Sequence, residues 1–500
     1  MEFNPMTIRL IARLALAGAV LFSAGTIMAQ HDMGGGATSG GASGGSTDSS
    51  RSSTVRRGPR RTTPVRRTTA PVRRGVTAEQ YNAQGDDLFK AENYDDALEA
   101  YQKAVSLKPI AGAYYHIGWI YNDREDYDQA LPALQQSVRL NPSEPIYFNE
   151  LGYAYKNLKQ YNEAITAYRR AIQIRSDYAT PYYQIGWIYN EQGQYSEAIE
   201  PLRQAVSLKA NYSEAEQEMG YAYYKLNQSQ EAIAAYQQAV RMKPDNGSAY
   251  LGLGDVYYYQ TKQYREAMNA YSRGVQYKDD NPTAFYNLAW SANELNQYDQ
   301  AAAAARKAIG LKADYAEAYA ELGFASRKLN QINEALTAYR EATRLKPNYG
   351  IAYTGLGDVY FTDLKQYQQA VAPYEQAISI SPNNARVRYN LGWIYNDQGR
   401  FGDAVTQLGE ATRLKPEYEE AHTELGFALW KLHRLPAATE SLRTAIRLKN
   451  DDANAHLYLG YVFIEARNKS GVVNEYRILR QLDATKAQKL YDAAPANMRN

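Results

Sequence analysis

The sequence predicts an all-α stack of helix–turn–helix repeats. Three observations carry this: a period of 34 residues from Thr77 onward, two stretches of helical apolar spacing in every period, and the complete absence of cysteine. A small residue recurs at Gly85, Gly118, Gly152, Gly186, Gly220, Gly254, Ala289, Gly323, Gly357, Gly392, Gly426 and Gly460. Twelve residues later, or thirteen in two units, stands Ala97, Ala130, Ala164, Ala198, Ala232, Ala267, Ala301, Ala335, Ala370, Ala404 or Ala438; the last unit has Val472 instead. Glycine inside a helix costs roughly 1 kcal/mol against alanine, so its recurrence implies close helix packing. Tyr101, Leu134, Tyr168, Leu202, Tyr236 and Tyr339 are placed to fill the space beside these small residues.

Each element of the period has its own signal. Thr77 with Gln80 forms a capping box at the start of the array. Polar breaks of the KQY, GQY and NQY kind separate the two helices of a unit, and Pro109, Pro142, Pro244, Pro347, Pro382 and Pro416 stop the second helix. Units begin near 78, 111, 145, 179, 213, 247, 282, 316, 350, 385, 419 and 453 and fill 78–483; 484–500 is a closing helix and tail.

The order of Gly, Tyr, Ala, Tyr, Ala and Pro at fixed unit positions resembles the tetratricopeptide repeat (TPR). Eleven units match in register over about four-fifths of the chain, and the twelfth is a decayed terminal unit. The resemblance implies a right-handed superhelical solenoid of about 11–12 helix pairs whose first helices line a concave binding groove.

A longer cycle overlies the short one. GWIYN at 186 and 392 and AWSAN at 289 are spaced 103 residues apart, as are GYAYYKLN at 220, GFASRKLN at 323 and GFALWKLH at 426. GDVYYY at 254 and GDVYFT at 357 follow the same spacing and carry the one extra residue of each block, which lengthens the helical turn there. The array is a three-unit block repeated three times.

The groove positions of such repeats are 2, 5, 9, 12 and 13, which share one helical face. Position 9 gives Trp119, Tyr153, Trp187, Tyr221, Asp255, Trp290, Phe324, Asp358, Trp393, Phe427 and Tyr461. Around the tryptophans recur Tyr115, Asn122 and Asp123; Tyr183, Asn190 and Glu191; Tyr286, Asn293 and Glu294; and Tyr389, Asn396 and Asp397. Lys156, Lys225, Arg327, Lys328 and Lys431 follow in the next units. Trp119, Trp187, Trp290 and Trp393, their Tyr, Asn and acid companions, and Asp255 and Asp358 are the candidate ligand-binding set. Aromatic faces beside amides and carboxylates suit an extended peptide or, as the alternative, a cell-envelope polysaccharide. The pattern of Lys and Asn that makes the familiar TPR clamp for carboxylate termini is not reproduced.

No catalytic, cofactor or metal motif occurs, and the five histidines are scattered; His422 and His456 share unit position 4, a core-facing position. An interaction protein, with no enzymatic role and no cofactor, is the expectation.

The first 77 residues differ in kind, with a net charge of +8 against −6 for the remainder. Residues 1–29 read as a secretory signal: Arg9 and Arg13 precede the uncharged run Leu14–Ala29. Its sixteen residues fall short of the roughly twenty needed for a span, so an uncleaved inner-membrane anchor is the second choice to a periplasmic or secreted chain. Residues 30–50 form a Gly/Ser-rich linker and 51–76 an Arg/Pro-rich linker, both expected to be disordered. Arg56, Arg57, Arg60, Arg61, Arg66, Arg67, Arg73 and Arg74 are candidates for contact with an anionic surface; the export signal disfavours nucleic acid.

Overall fold

The computed structural model describes residues 75–499; the signal, the linkers up to residue 74 and the eight candidate arginines lie outside them. The described residues hold twelve helix pairs and a closing helix, with no strand among them. The capping box forms as the sequence suggests: Gln80 N–H donates to Thr77 Oγ1 at 3.2 Å and Thr77 N–H to Gln80 Oε1 at 2.9 Å. First helices run from Ala78–Lys90 to Ala453–Glu465, and second helices from Tyr94–Leu107 to Lys469–Leu482. Where a proline follows, the second helix ends two residues before it, as at Leu107, Leu140 and Leu345.

The turn inside each pair needs one left-handed residue. Gly193 and Gly399 supply it with φ of 73° and 71°, and Asn227, Asn296 and Asn330 with φ near 60°. In the sixth and ninth repeats the first helix stops at Asp255 and Asp358 and continues as a π-helical turn over Val256–Thr261 and Val359–Asp363. This is how the one extra residue per block is absorbed: the ladder widens to i→i+5 without breaking the helix.

The chain divides into two compact units, one ending at Val256 and one beginning at Tyr257. In the first, the core runs through Ala97, Tyr101, Ala104 and Ile120 to Leu134, Tyr168, Ile188 and Leu202, all essentially inaccessible. In the second, Tyr271, Tyr374, Leu391, Ile394, Leu408 and Leu442 play the same part. In most repeats the small residue of the first helix is covered by the side chain sixteen residues later, as with Gly85 and Tyr101 or Gly426 and Leu442, and Gly357 of the ninth repeat by Tyr374, seventeen later. A Cβ added at Gly118 would lie 2.4 Å from Leu134, and one at Gly152 2.7 Å from Tyr168.

Two tyrosines require a second glycine. Tyr236 lies between Gly220 and Gly252, where added Cβ atoms would stand 2.9 and 2.4 Å from its ring. Tyr339, 103 residues on, lies between Gly323 and Gly355, at 2.9 and 2.3 Å. Contacts that short force neighbours to shift. The LGLGD and TGLGD runs of the 103-residue block are therefore the second half of a cradle for a buried ring.

Candidate functional site

Within each unit, first helices of successive repeats touch one another as well as their own second helices: Ala111–Asp123 meets Pro145–Asn157, and Pro282–Glu294 meets Ala316–Lys328. This layer of first helices carries the candidate ligand-binding residues.

The tryptophans sit at the junction with the preceding repeat. Trp119 packs edge-on against Phe89 at 4.9 Å between centroids and tilts on Tyr94 at 5.5 Å. Trp393 does the same with Phe361 at 5.5 Å and Tyr367 at 4.9 Å. Trp187 instead meets a cation: Lys156 lies over the Trp187 and Tyr153 rings, 4.8 Å from each centroid, and donates to Gln184 Oε1 at 3.1 Å. Burial holds the Lys156 ammonium down at about 8. Trp119, Trp187 and Trp393 keep part of their surface in solvent, whereas Trp290, wedged by Tyr258 and Tyr264 at 4.9 and 4.8 Å, is buried. Trp290 is thus a packing residue and not a ligand surface.

The four asparagines are also spent internally. The Nδ2 of Asn190 donates at 3.0 Å to both the backbone carbonyl and the Oε2 of Glu218 in the next repeat. Asn122 makes the same pair with Glu150, Asn293 with Glu321 and Asn396 with Glu424, at 2.8–3.2 Å. All four are at least nine-tenths buried, and each Oδ1 is buried without a protein partner. The expectation that these amides face a ligand is corrected: position 12 is where one first helix approaches the next, and the amide clips the two together. Their glutamates were missed from the candidate set, although the run E-L-G or E-M-G marks all four, 28 residues beyond each asparagine. Burial raises the carboxyls of Glu150 and Glu424 and pushes Glu218 up to about 7.

The tyrosines at position 5 pack toward the following repeat. Tyr115 stacks on Tyr147 at 4.9 Å; Tyr183, Tyr286 and Tyr389 tilt against Tyr212, Tyr315 and Tyr418 at 5.0–5.2 Å. Tyr183 is buried. The acids diverge: Asp123, Glu191 and Asp397 are exposed, Asp255 is half-buried, and Glu294 and Asp358 are buried.

Asp358 is a structural hub. It accepts from Arg386 Nη1 and Nη2 at 2.7 and 2.9 Å and from the Tyr374 hydroxyl at 2.8 Å, with Arg327 Nη1 at 3.5 Å. Its role as a groove ligand is corrected accordingly. Asp86, at the same position in the first repeat and absent from the candidates, likewise accepts from Tyr101 at 2.9 Å. Trp430, at groove position 12 but also absent from the candidates, stacks on Tyr461 at 5.0 Å and donates to Glu465 at 3.0 Å.

His456 is buried, in keeping with its position, and His422 is half-buried. Among the described residues no cluster of three or more His, Asp or Glu could hold a metal ion, and no helix is long and apolar enough to cross a membrane.

Models of the tetratricopeptide repeat match residues 82–145, 144–211 and 282–315, and a model of the TPR repeat matches 220–260, 325–363, 361–395 and 392–433. Together they cover well over half of the sequence, in the register of the observed helix pairs. The chain belongs to the tetratricopeptide-repeat family. As a TPR array it is a protein-interaction scaffold.

Among solved structures, it is similar to YrrB, described as a TPR protein with an unusual peptide-binding site, at 23% identity over 38% of this chain and 97% of that one, TM-score 0.35. MamA is similar at 27% identity over 32% and 94%, TM-score 0.31. PilF of Pseudomonas aeruginosa is similar at 21% identity over 42% and 94%, TM-score 0.39. No curated protein matches the sequence.

Proposed function

We propose that this TPR scaffold is exported and binds an extended peptide across its layer of first helices. The observation that carries the peptide reading is the half-exposed rings of Trp119 and Trp187 in the first unit, with the Lys156 ammonium held between Trp187 and Tyr153, and of Trp393 in the second. Flat amphipathic rings offer apolar area at low entropic cost, and a caged cation adds a charged anchor. The buried asparagines set the spacing between neighbouring repeats and so fix where those rings stand.

Selection of the full mature chain against a displayed library of random peptides tests this. The best peptide should lose affinity about tenfold or more, on the order of 1–3 kcal/mol, in Trp187→Ala or Trp393→Ala, with unchanged far-ultraviolet circular dichroism. Trp290→Ala is not a binding probe, because that ring is core. A glycan array run in parallel addresses polysaccharide: glycan binding lost in the same variants, with no peptide selected, would replace the peptide reading.

Export rests on Arg9 and Arg13 followed by the uncharged Leu14–Ala29 run. N-terminal sequencing of the chain recovered from the cell envelope or medium should begin at Gln30. Recovery of the intact chain only in the cytoplasm would reject export.

A further inference from the structure

The last repeat departs from the others in how its glycine is covered. Gly426 of the eleventh repeat lies under Leu442 of its own second helix, but Gly460 lies under Leu490 of the closing helix Ala484–Ala493. The equivalent of Leu442 in the last repeat is Tyr476, which packs on Tyr491 of that closing helix at 5.5 Å. The closing helix thus takes over the packing that the second helix supplies elsewhere. A cleft of about 540 Å³ opens between the second helices Leu435–Leu448 and Lys469–Leu482.

The floor of the cleft holds a buried pair. His456 Nδ1 stands 2.6 Å from Glu475 Oε2, and its Nε2 stands 3.1 Å from the carbonyl oxygen of Asn450. Both side chains are about 95% buried, with exposures of 5% and 6%. Each ring nitrogen faces an acceptor, so both must carry hydrogen and the ring is an imidazolium. Hydrogen bonding to Glu475 and Asn450 outweighs burial and raises its pKa, in agreement. The carboxylate of Glu475 is therefore already balanced within the floor and neutralises nothing else.

Two cations remain at the mouth. Arg443 and Arg447 lie one helical turn apart, are exposed, and have no ion-pair partner among the described residues. They also line a second cleft of about 440 Å³ on the other side, which Glu440 shares, so an anion approaches the two guanidinium groups from the His456 side. Ser470 and Asn474 stand on the opposite wall, where the Ser470 hydroxyl donates to Asn468 Oδ1 at 2.9 Å and the Asn474 amide to Glu475 Oε1 at 3.4 Å. Paired guanidinium forks match the geometry of a tetrahedral oxyanion.

We propose that this cleft is a binding site for a phosphate-class oxyanion, held by Arg443 and Arg447 over the His456–Glu475 floor. It lies among second helices, apart from the aromatic face of the first helices, and is independent of the peptide reading.

The test titrates the full chain with inorganic phosphate, glycerol 3-phosphate and vesicles containing phosphatidic acid, each against sodium chloride at matched ionic strength. Binding is read by phosphorus-31 line broadening and thermal shift for the soluble ligands and by co-sedimentation for the vesicles. Saturable binding is expected, weakened at least tenfold in the Arg443→Gln/Arg447→Gln double variant and unchanged in Arg413→Gln, whose guanidinium already pairs with Glu410. Because all variants keep the arginines of residues 51–74, only a difference between them counts. Tighter binding of the ester identifies a small phosphorylated molecule, and binding to vesicles alone identifies a lipid headgroup; both uphold the oxyanion site. The proposal is overturned if phosphate acts no differently from chloride, or if the folded double variant binds as the parent does.

Discussion

Asp358→Ala lowers the stability of the ninth and tenth repeats by about 3 kcal/mol, the lower end of what removing one partner of a buried ion pair costs. Asp358 is 8% exposed, and its carboxylate takes both ends of the Arg386 fork together with the Tyr374 hydroxyl. Its loss strands the Arg386 guanidinium and leaves the Tyr374 hydroxyl with only the Asn390 amide, which donates to it at 3.0 Å. Arg386 is 39% exposed, so water recovers part of the charge and the effect stays near 3 kcal/mol rather than 5. Repeat arrays are stabilised by each unit and its nearest interfaces, which makes the damage local. Amide exchange between residues 351 and 414 should accelerate on the order of a hundredfold, with the repeats before Val256 unaffected. An Asp358→Ala/Arg386→Ala double variant more stable than Asp358→Ala alone would show that the stranded charge is the cause. A loss below about 0.5 kcal/mol would mean that Asp358 is not a hub.

That role was only half legible in the sequence. The Gly-to-Ala interval, the terminating prolines and the Thr77–Gln80 capping box are local signals, and local signals need only one helix or turn to act. The extra residue of the GDVY units was legible as a lengthened turn, but its π-helical form depends on which carbonyls remain in reach. Asn190 and Asp358 were assigned to the right face of the right helix and given the wrong employment. One face of a first helix meets both solvent and the next first helix, and helical periodicity cannot divide that face between them. The missing information lay in the spacing. An asparagine at position 12 and a glutamate at position 6 of the following unit stand 28 residues apart, and the pairs Asn122–Glu150, Asn190–Glu218, Asn293–Glu321 and Asn396–Glu424 all keep it. Tryptophan had no such signal: Trp187 meets Lys156 and is half-exposed, Trp290 meets Tyr258 and is buried, yet Trp393, with Phe361 at the place of Tyr258, is half-exposed.

Glu218→Gln should make the array more stable at pH 8.5 and leave it nearly unchanged at pH 4.5. Burial raises the Glu218 carboxyl from 4.5 to about 7, with the neighbouring Glu191 adding to the rise and the Asn190 amide opposing it. The folded protein therefore holds a proton that the unfolded chain releases. The stability this group contributes is fully present below its unfolded value near 4.5, and is lost as pH rises toward and through about 7. Above that, the ionised carboxylate burdens the interface between the fourth and fifth repeats by at most about 3 kcal/mol. Glutamine keeps an acceptor for the Asn190 amide and has nothing to titrate. Urea unfolding between pH 4.5 and 8.5 should show the parent losing stability across this window and the variant losing distinctly less. Part of the residual slope belongs to Glu150, Glu216, Glu419 and Glu424, whose carboxyls burial also raises. Parallel profiles for parent and variant would refute the assignment. The same profile also reports on the proposed peptide face, because a basic side chain bound near Glu218 would draw its carboxyl back down. Ligand would then stabilise the parent more at pH 8 than at pH 5, and Glu218→Gln would abolish that difference.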